Sequence, residues 1–382
     1  MSNFRFQERV LMSPPHMSGH EKKYIDRAFE DNFIVPLGPN VREFEQSVLD
    51  YLQEKNLYAV AMSSGTAAIH IALILMGVKP GEEIFCSSGT FIATCNPILY
   101  EKAIPVFIDA EDKTWNICPK SLLKAIEAKK ATGKIPRILI VADLFGMSAD
   151  YKAIMEICDQ YKIEVIEDSA EALGSIYHGR KCGTFGRFGI LSFNGNKIIT
   201  TSGGGMLITH SKEEADKALF LITQARDNAP YYLHSEIGYN YRMSNICAGI
   251  GLGQMSVLDQ RIQARRSHFD YYQKAFADLP VTFVAEDSNN FSNRWLSTML
   301  IDPKSQVTTT QLLGALERAN VEARHIWKPM HTQPIFKSHE FFTCYDYPVS
   351  EKIFDQGVCL PSASSMKQET LEKICDLVKS VF

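Results

Sequence analysis

Apolar positions recur along this chain at two spacings, and the spacing switches repeatedly from one to the other. Over residues 21–32 they fall at Tyr24, Ile25, Ala28 and Phe29, and over 42–53 at Phe44, Val48, Leu49 and Leu52. Each set is a single stripe at helical spacing, which predicts two surface helices. Residues 57–62 form a short apolar run that predicts a strand. It passes through Ser63-Ser64-Gly65-Thr66 into 67–76, which is apolar nearly all round and predicts a buried helix. The alternation continues, with strands over 83–86, 104–108, 138–142 and 164–166 separated by helices over 93–100, 119–129 and 149–161. Residues 189–193 and 206–209 read as two further strands around a glycine-rich turn. Such alternation predicts an α/β fold, a mostly parallel central sheet sandwiched by helices, with a ligand site off the carboxyl ends of its strands.

The texture then changes. Residues 244–276 predict one long helical stretch that leaves the sheet. Beyond about residue 280, strands over 298–301 and 321–325 flank a helix over 309–319. The expected division is a large domain over 1–255 and a smaller C-terminal α/β domain over 256–382, with the N-terminal segment free to pack on the small domain.

Composition narrows the function. The 382 residues are 45% apolar and 22% charged, enough for a sizeable core. Forty basic against forty-four acidic side chains give a net charge of −4 with no basic run, which argues against nucleic acid as a partner. The longest apolar stretch, 67–78, is interrupted by His70 and falls short of the roughly 20 residues a bilayer span needs, so no membrane partner is expected. No secretory signal is read in the first twenty residues, and the expected location is the cytoplasm. Nine scattered cysteines without a C-x-x-C pair predict free thiols, and His325 and His331 lack a near third ligand, so no metal is expected.

Four predicted strand ends carry polar residues out of keeping with the runs before them. In Ser192-Phe193-Asn194-Gly195-Asn196-Lys197, continuing to Gly203-Gly204-Gly205, a lysine sits between apolar strands among hydroxyls and amides. A desolvated lysine can lose its proton and attack a carbonyl, although a surface lysine is the plainer alternative. Asp168, after the strand at 164–166, suits either a helix cap or a protonated ring nitrogen. Ser63-Ser64-Gly65-Thr66-Ala67 joins strand to helix, where free N–H groups suit a phosphate as well as an ordinary cap. Phe91 follows the second strand and can lie on a planar ligand or in the core. Together these residues ask for an aldehyde, a basic ring nitrogen, a flat ring and a phosphate, and pyridoxal 5'-phosphate has all four.

On these residues, with Glu167-Asp168-Ser169-Ala170-Glu171 and Gly238-Tyr239-Asn240-Tyr241-Arg242-Met243-Ser244, the chain resembles the DegT/DnrJ/EryC1 group of nucleotide-sugar aminotransferases over nearly its whole length. These are pyridoxal-phosphate enzymes of fold type I. The resemblance implies that Lys197 binds the cofactor aldehyde covalently and then carries the proton, and that Asp168 pairs with the ring nitrogen. It places Glu171 near the 3-hydroxyl, gives the phosphate to Gly65, Thr66 and Ser192, and stacks Phe91 on the ring. Asn240 would reach the phosphate of a neighbouring subunit, implying a homodimer with shared sites. Two positions depart from the pattern. Glu171 stands where many relatives carry Gln or His, and Asp143 stands where His is usual and has no assigned role. A related dehydratase branch has His in place of the lysine, so Lys197 implies transamination.

Residues 12–17, 194–205 and 326–331 resemble the branch that aminates C4 of UDP-4-keto-6-deoxy-N-acetylglucosamine, toward bacillosamine, with L-glutamate as donor. A perosamine synthase acting on a GDP sugar is the alternative within the family, and a non-catalytic regulator on the same fold is the alternative outside it. His16, Arg226, Trp327, Lys328 and His331 are the candidate substrate contacts, and Arg226, Arg242 and Lys328 are cations available to anionic ligands.

Overall fold

In the computed structural model, which describes residues 4–382, the central strands are apolar on both faces, as strands between two helical layers must be. Phe85, Val106, Ile108, Leu139, Val141 and Val165 enter one core. Their strand neighbours Ile84, Cys86, Phe107, Ile138, Ile140 and Ile166 enter the other, which is the period-two alternation of a pleated strand.

The strands in chain order are β1 (Tyr58–Met62), β2 (Glu83–Ser87), β3 (Ile104–Ile108), β4 (Ile138–Ala142), β5 (Glu164–Asp168), β6 (Ile176–Tyr177), β7 (Arg180–Lys181), β8 (Phe188–Ser192), β9 (Gly205–Thr209), β10 (Val281–Phe283), β11 (Asn290–Phe291), β12 (Ser297–Ile301), β13 (Arg324–His325), β14 (Phe341–Phe342) and β15 (Gly357–Leu360). Eight form the main sheet in the order β1-β9-β8-β5-β4-β2-β3-β14. Only β9 runs against its neighbours. The ends of β1, β2, β4, β5 and β8 and the start of β9 therefore share one edge. A second, antiparallel sheet, β10-β12-β15-β13, packs with helices Leu258–Ala275, Thr309–Arg318 and Gln368–Lys379 around Tyr272, Met299, Leu312, Leu316, Val358, Leu371 and Ile374. The N-terminal segment docks on this layer, where the N–H groups of Phe6 and Val10 donate to the carbonyls of Ala319 and Asn320, each at 3.0 Å.

Four expectations are corrected. The long helix over 244–276 is two, Asn245–Met255 and Leu258–Ala275. The first packs on helices Glu21–Glu30 and Pro39–Leu52 so closely that a Cβ on Gly251 would lie 2.6 Å from the Phe44 ring and one on Gly253 2.7 Å from the Glu21 backbone. It ends where the Ser256 hydroxyl donates to the Gly253 carbonyl at 2.7 Å, filling an acceptor the helix leaves open. The helix over 93–100 is a 3-10 turn, Ile92–Thr94, then a short helix, Asn96–Tyr100, with Pro97 in its first turn. Of 321–325 only Arg324–His325 joins a strand, because Val321 bridges instead to Val10. The chain after residue 256 does not fold wholly apart from the main sheet, since β14 returns to pair with β3. Lys129, buried between Glu83 and Glu340, ties that return to the sheet. The expected large domain begins at residue 1, and residues 1–3 lie outside the described ones. No helix among the described residues is long and apolar enough to cross a membrane.

Candidate active site

A cavity of about 310 Å³ opens at the shared strand edge. Ser64, extended between β1 and helix Gly65–Leu75, accepts the Ala67 N–H on its hydroxyl at 3.0 Å, and its carbonyl accepts the Ala68 N–H at 3.2 Å. The N–H groups of Gly65 and Thr66 remain at the positive helix end, where an anion is favoured. Ser192, the last residue of β8, faces them, and a Cβ on Gly65 would stand 3.2 Å from its Cβ. At Gly205 a Cβ would lie 2.2 Å from the Ser64 carbonyl carbon, so only glycine lets β9 begin this close to the helix start. Gly65, Thr66 and Ser192 all line the cavity, as do Phe91, Asp168, Glu171 and Lys197.

Lys197 follows a tight turn in which its N–H donates to the Asn194 carbonyl at 3.0 Å. The carbonyl of Asn196, one residue before it, accepts from Trp295 Nε1 and from Ser13 Oγ, both at 2.7 Å. The lysine Nζ lies 3.6 Å from Glu171 Oε1 and 4.2 Å from the centre of the Trp295 ring. Glu171 also accepts Trp327 Nε1 at 3.3 Å and the Phe145 N–H at 2.7 Å. The second bond holds Phe145 in the left-handed region, φ 54°, an uncommon conformation for a bulky residue. Burial pushes the Glu171 carboxyl up, against the pull of the Lys197 charge. Beside the expected contact with the cofactor, Glu171 thus has three partners in the protein, the lysine among them.

Asp168 ends β5 and is 7% exposed. Its Oδ2 accepts Thr94 Oγ1 at 2.6 Å and its Oδ1 accepts the Ala170 N–H at 3.2 Å. Burial raises its carboxyl above the usual range, while Thr94, the Lys197 charge and the Ala170 N–H oppose that rise. Phe91 stands at the mouth, 51% exposed, its ring 5.8 Å from that of Trp327.

Behind Asp168 lies Asp143, the second departure from the family pattern. Asp143 is 1% exposed, donates its N–H to the Asp168 carbonyl at 3.1 Å and accepts the Tyr151 hydroxyl and the Ala149 N–H, each at 3.0 Å. Ser169 Oγ is 2.6 Å from Asp143 Oδ2 and 3.0 Å from Glu167 Oε1. One hydroxyl thus faces two buried carboxyl groups. Burial and the Glu167 charge accordingly push the Asp143 carboxyl well up. Asp143, Glu167 and Cys182 bring ligand atoms within 4.8 Å of one another, but Glu167 is already taken by the N–H groups of Gly183, Phe185 and Gly186 and Asp143 by its own donors.

Of the expected substrate contacts only Trp327 lines the cavity. His16 sits beside Ser364 Oγ at 3.1 Å and Arg261 at 3.4 Å, on the N-terminal segment. Arg226 stacks on exposed Tyr232, and Lys328 on Phe354. His331 is held by Ser88 at 2.6 Å and Glu351 at 3.1 Å and stacks on Phe341 of β14. Arg242 is not a free cation, because it pairs with Glu45 at 2.7 Å. Asn240 is exposed and lies outside the cavity of its own chain. Trp295 and Thr94 belong to the site without a local sequence signal that marks them. Trp295 belongs to a segment 98 residues beyond Lys197, and Thr94 lies inside what reads as a helix.

The parts of the cavity match the parts of pyridoxal phosphate: two free N–H groups and a hydroxyl at a helix end, a carboxylate at the floor, a flat ring at the side and an amine. Residues 15–379 match the family model described as the DegT/DnrJ/EryC1/StrS aminotransferase family. The chain is 48% identical to EpsN of Bacillus subtilis (strain 168), whose name assigns it provisionally to the pyridoxal phosphate-dependent aminotransferases, over 98% of this chain and 96% of that one. It is 33% identical to the GDP-perosamine synthase of Escherichia coli O157:H7, over 96% and 97%. A crystal structure of a DegT DnrJ EryC1 StrS aminotransferase from Brucella abortus superposes with a TM-score of 0.87 at 26% identity, covering 95% of each chain. The chain belongs to the DegT/DnrJ/EryC1/StrS family and is a pyridoxal phosphate-dependent sugar aminotransferase of fold type I.

Proposed function

We propose that the protein transfers the amino group of L-glutamate to C4 of UDP-4-keto-6-deoxy-N-acetylglucosamine, giving the 4-amino-4,6-dideoxy sugar nucleotide for bacillosamine or a related glycan. The observation that carries the reaction is the Lys197 amine, 3.6 Å from Glu171 and within the field of Asp168, in a cavity whose far rim offers N–H groups at a helix end. When bound, pyridoxal phosphate supplies an aldehyde that captures amines and a ring that accepts the electron pair left by a departing α-proton. The N–H groups of Gly65 and Thr66 and the Ser192 hydroxyl would hold its phosphate. Asp168 would keep the ring nitrogen protonated, and Phe91 would cover the ring face. Lys197 Nζ would take the α-proton of the donor and return a proton to the sugar carbon in the second half of the cycle. The Trp295 ring lies against this amine, and Trp327 lines the same cavity.

The UDP sugar rests on the resemblance of residues 12–17, 194–205 and 326–331 to that branch. The similarity to GDP-perosamine synthase along nearly the full length favours a second reading, a GDP-linked 4-keto-6-deoxy sugar. Product masses from UDP-, GDP- and dTDP-linked 4-keto-6-deoxy sugars with glutamate separate the two. Amination of the UDP N-acetyl sugar is expected, and amination of the GDP sugar alone would replace the substrate and leave the reaction class standing.

A homodimer with shared sites is part of the same reading. Exposed Asn240, out of reach of its own cavity, and the exposed apolar side chains Phe29, Ile34, Leu37, Tyr231, Tyr232 and Ile237 support it. Sedimentation equilibrium should return twice the chain mass of 43.0 kDa, and a monomer that binds cofactor with full affinity would refute it. Nine free cysteines support a reducing compartment, the cytoplasm.

A further inference from the structure

Thr94 Oγ1 lies 2.6 Å from Asp168 Oδ2 and 2.7 Å from Thr90 Oγ1, and the two threonines are 1% and 2% exposed. The direction of these bonds follows from proton counting. An ionised Asp168 has no proton to give, so Thr94 spends its one hydroxyl proton on the carboxylate. The Thr94 oxygen can then serve Thr90 only as an acceptor, and Thr90 is the donor. The result is a two-hydroxyl chain, Thr90 to Thr94 to Asp168, in which each bond polarises the next toward the carboxylate. Among the described residues Thr94 supplies the single side-chain hydrogen bond to Asp168, the other donor being the Ala170 N–H. The charged group that assists is Lys197, and Glu171 stands on the same side of the cavity.

The chain has a second consequence, because Thr90 and Thr94 bracket Phe91. The 3-10 turn Ile92–Thr94 closes with the Thr94 N–H on the Phe91 carbonyl at 3.1 Å. Pro97, in the first turn of the next helix, keeps this turn separate from that helix. One turn after β2 thus carries both the ring at the cavity mouth and the hydroxyl at its floor. Any shift of the turn moves both together.

We propose that Thr94, with Thr90 behind it, is a positioning residue that orients the Asp168 carboxylate toward the cofactor ring nitrogen and keeps it ionised there. The inference rests on the reading of Asp168 as the partner of that nitrogen. The test uses the full-length protein depleted of cofactor, titrated with pyridoxal phosphate, together with the ¹⁵N NMR signal of a ring-labelled cofactor. Thr94→Val keeps the shape and loses the donor. It should weaken binding roughly tenfold and move the ring-nitrogen signal toward the unprotonated form. Thr90→Val should give a smaller loss of the same sign, since Thr94 keeps its own bond. Thr94→Ser should restore both readouts. In Asp168→Ala, adding Thr94→Val should cost nothing further. A Thr94→Val protein with unchanged affinity and signal overturns the inference, as does an equal loss in the Asp168→Ala background, which would mark a packing role. Unchanged binding in Asp168→Ala alone would overturn the reading of Asp168, and this inference with it.

Discussion

Lys197→Ala protein is expected to bind pyridoxal phosphate without a covalent bond and to lose glutamate-dependent turnover. Borohydride treatment of the wild type with cofactor should fix the added mass on the peptide that contains Lys197, and the variant should carry none. The proton-transfer contribution of a placed amine is roughly 10²–10⁴-fold, and loss of covalent capture adds to it. The cavity should survive the change. Glu171 would lose the cation at 3.6 Å that opposes the rise burial causes, so its carboxyl would move further up, while its bonds to the Phe145 N–H and Trp327 Nε1 do not involve the lysine. Turnover within tenfold of the wild type would show that another group moves the proton.

Asp168→Ala should give the second-largest loss, roughly 10²–10³-fold in turnover, the scale seen when a preorganised electrostatic partner is removed from a reaction centre. Its pH behaviour is also specified. In the cofactor-free protein burial raises the Asp168 carboxyl, so protonation begins at a higher pH than for an exposed aspartate. Cofactor binding favours the carboxylate, and affinity should therefore fall as pH is lowered through that raised pKa. Asp168→Asn, which has no carboxylate to titrate, should bind weakly and without that acid-side decline. Titration of the two proteins across acid pH checks this, and parallel curves would remove Asp168 from the ring nitrogen.

The parts of this molecule differ in how strongly local sequence pattern marks them. Lys197, Asp168, Gly65, Thr66, Ser192 and Phe91 are legible because each follows a strand whose apolar run ends abruptly, and parallel topology brings strand ends to one edge. The substrate contacts are less legible for the converse reason. His16, Arg226, Lys328 and His331 lie in irregular segments placed by long-range packing, and local pattern carries no information about Ser364, Tyr232, Phe354 or Glu351, the residues that claim them. Thr94 is hidden by its neighbours, since Ala93 and Cys95 continue an apolar texture and only Pro97 hints that the helix starts late. Strands β6, β7, β11 and β14 have two residues each, too few for any period to register. The break at Ser256 has no proline to announce it, and the glycines before it at 249, 251 and 253 lie inside the first helix. It follows from the two helices serving different layers.

The return of β14 to β3 also bears on how the chain is made. The Phe107 and Asp109 N–H groups donate to the carbonyls of Glu340 and Phe342 at 2.9 and 3.0 Å, which closes the row of polar groups along β3. More than two hundred residues separate the two strands. At a synthesis rate of about 5–20 residues per second, β3 leaves the ribosome on the order of ten to fifty seconds before the segment that covers it. Throughout that interval the growing sheet has an open edge able to pair with another nascent chain. Expression yield should therefore depend on the integrity of residues 340–342, far from any chemistry the enzyme performs.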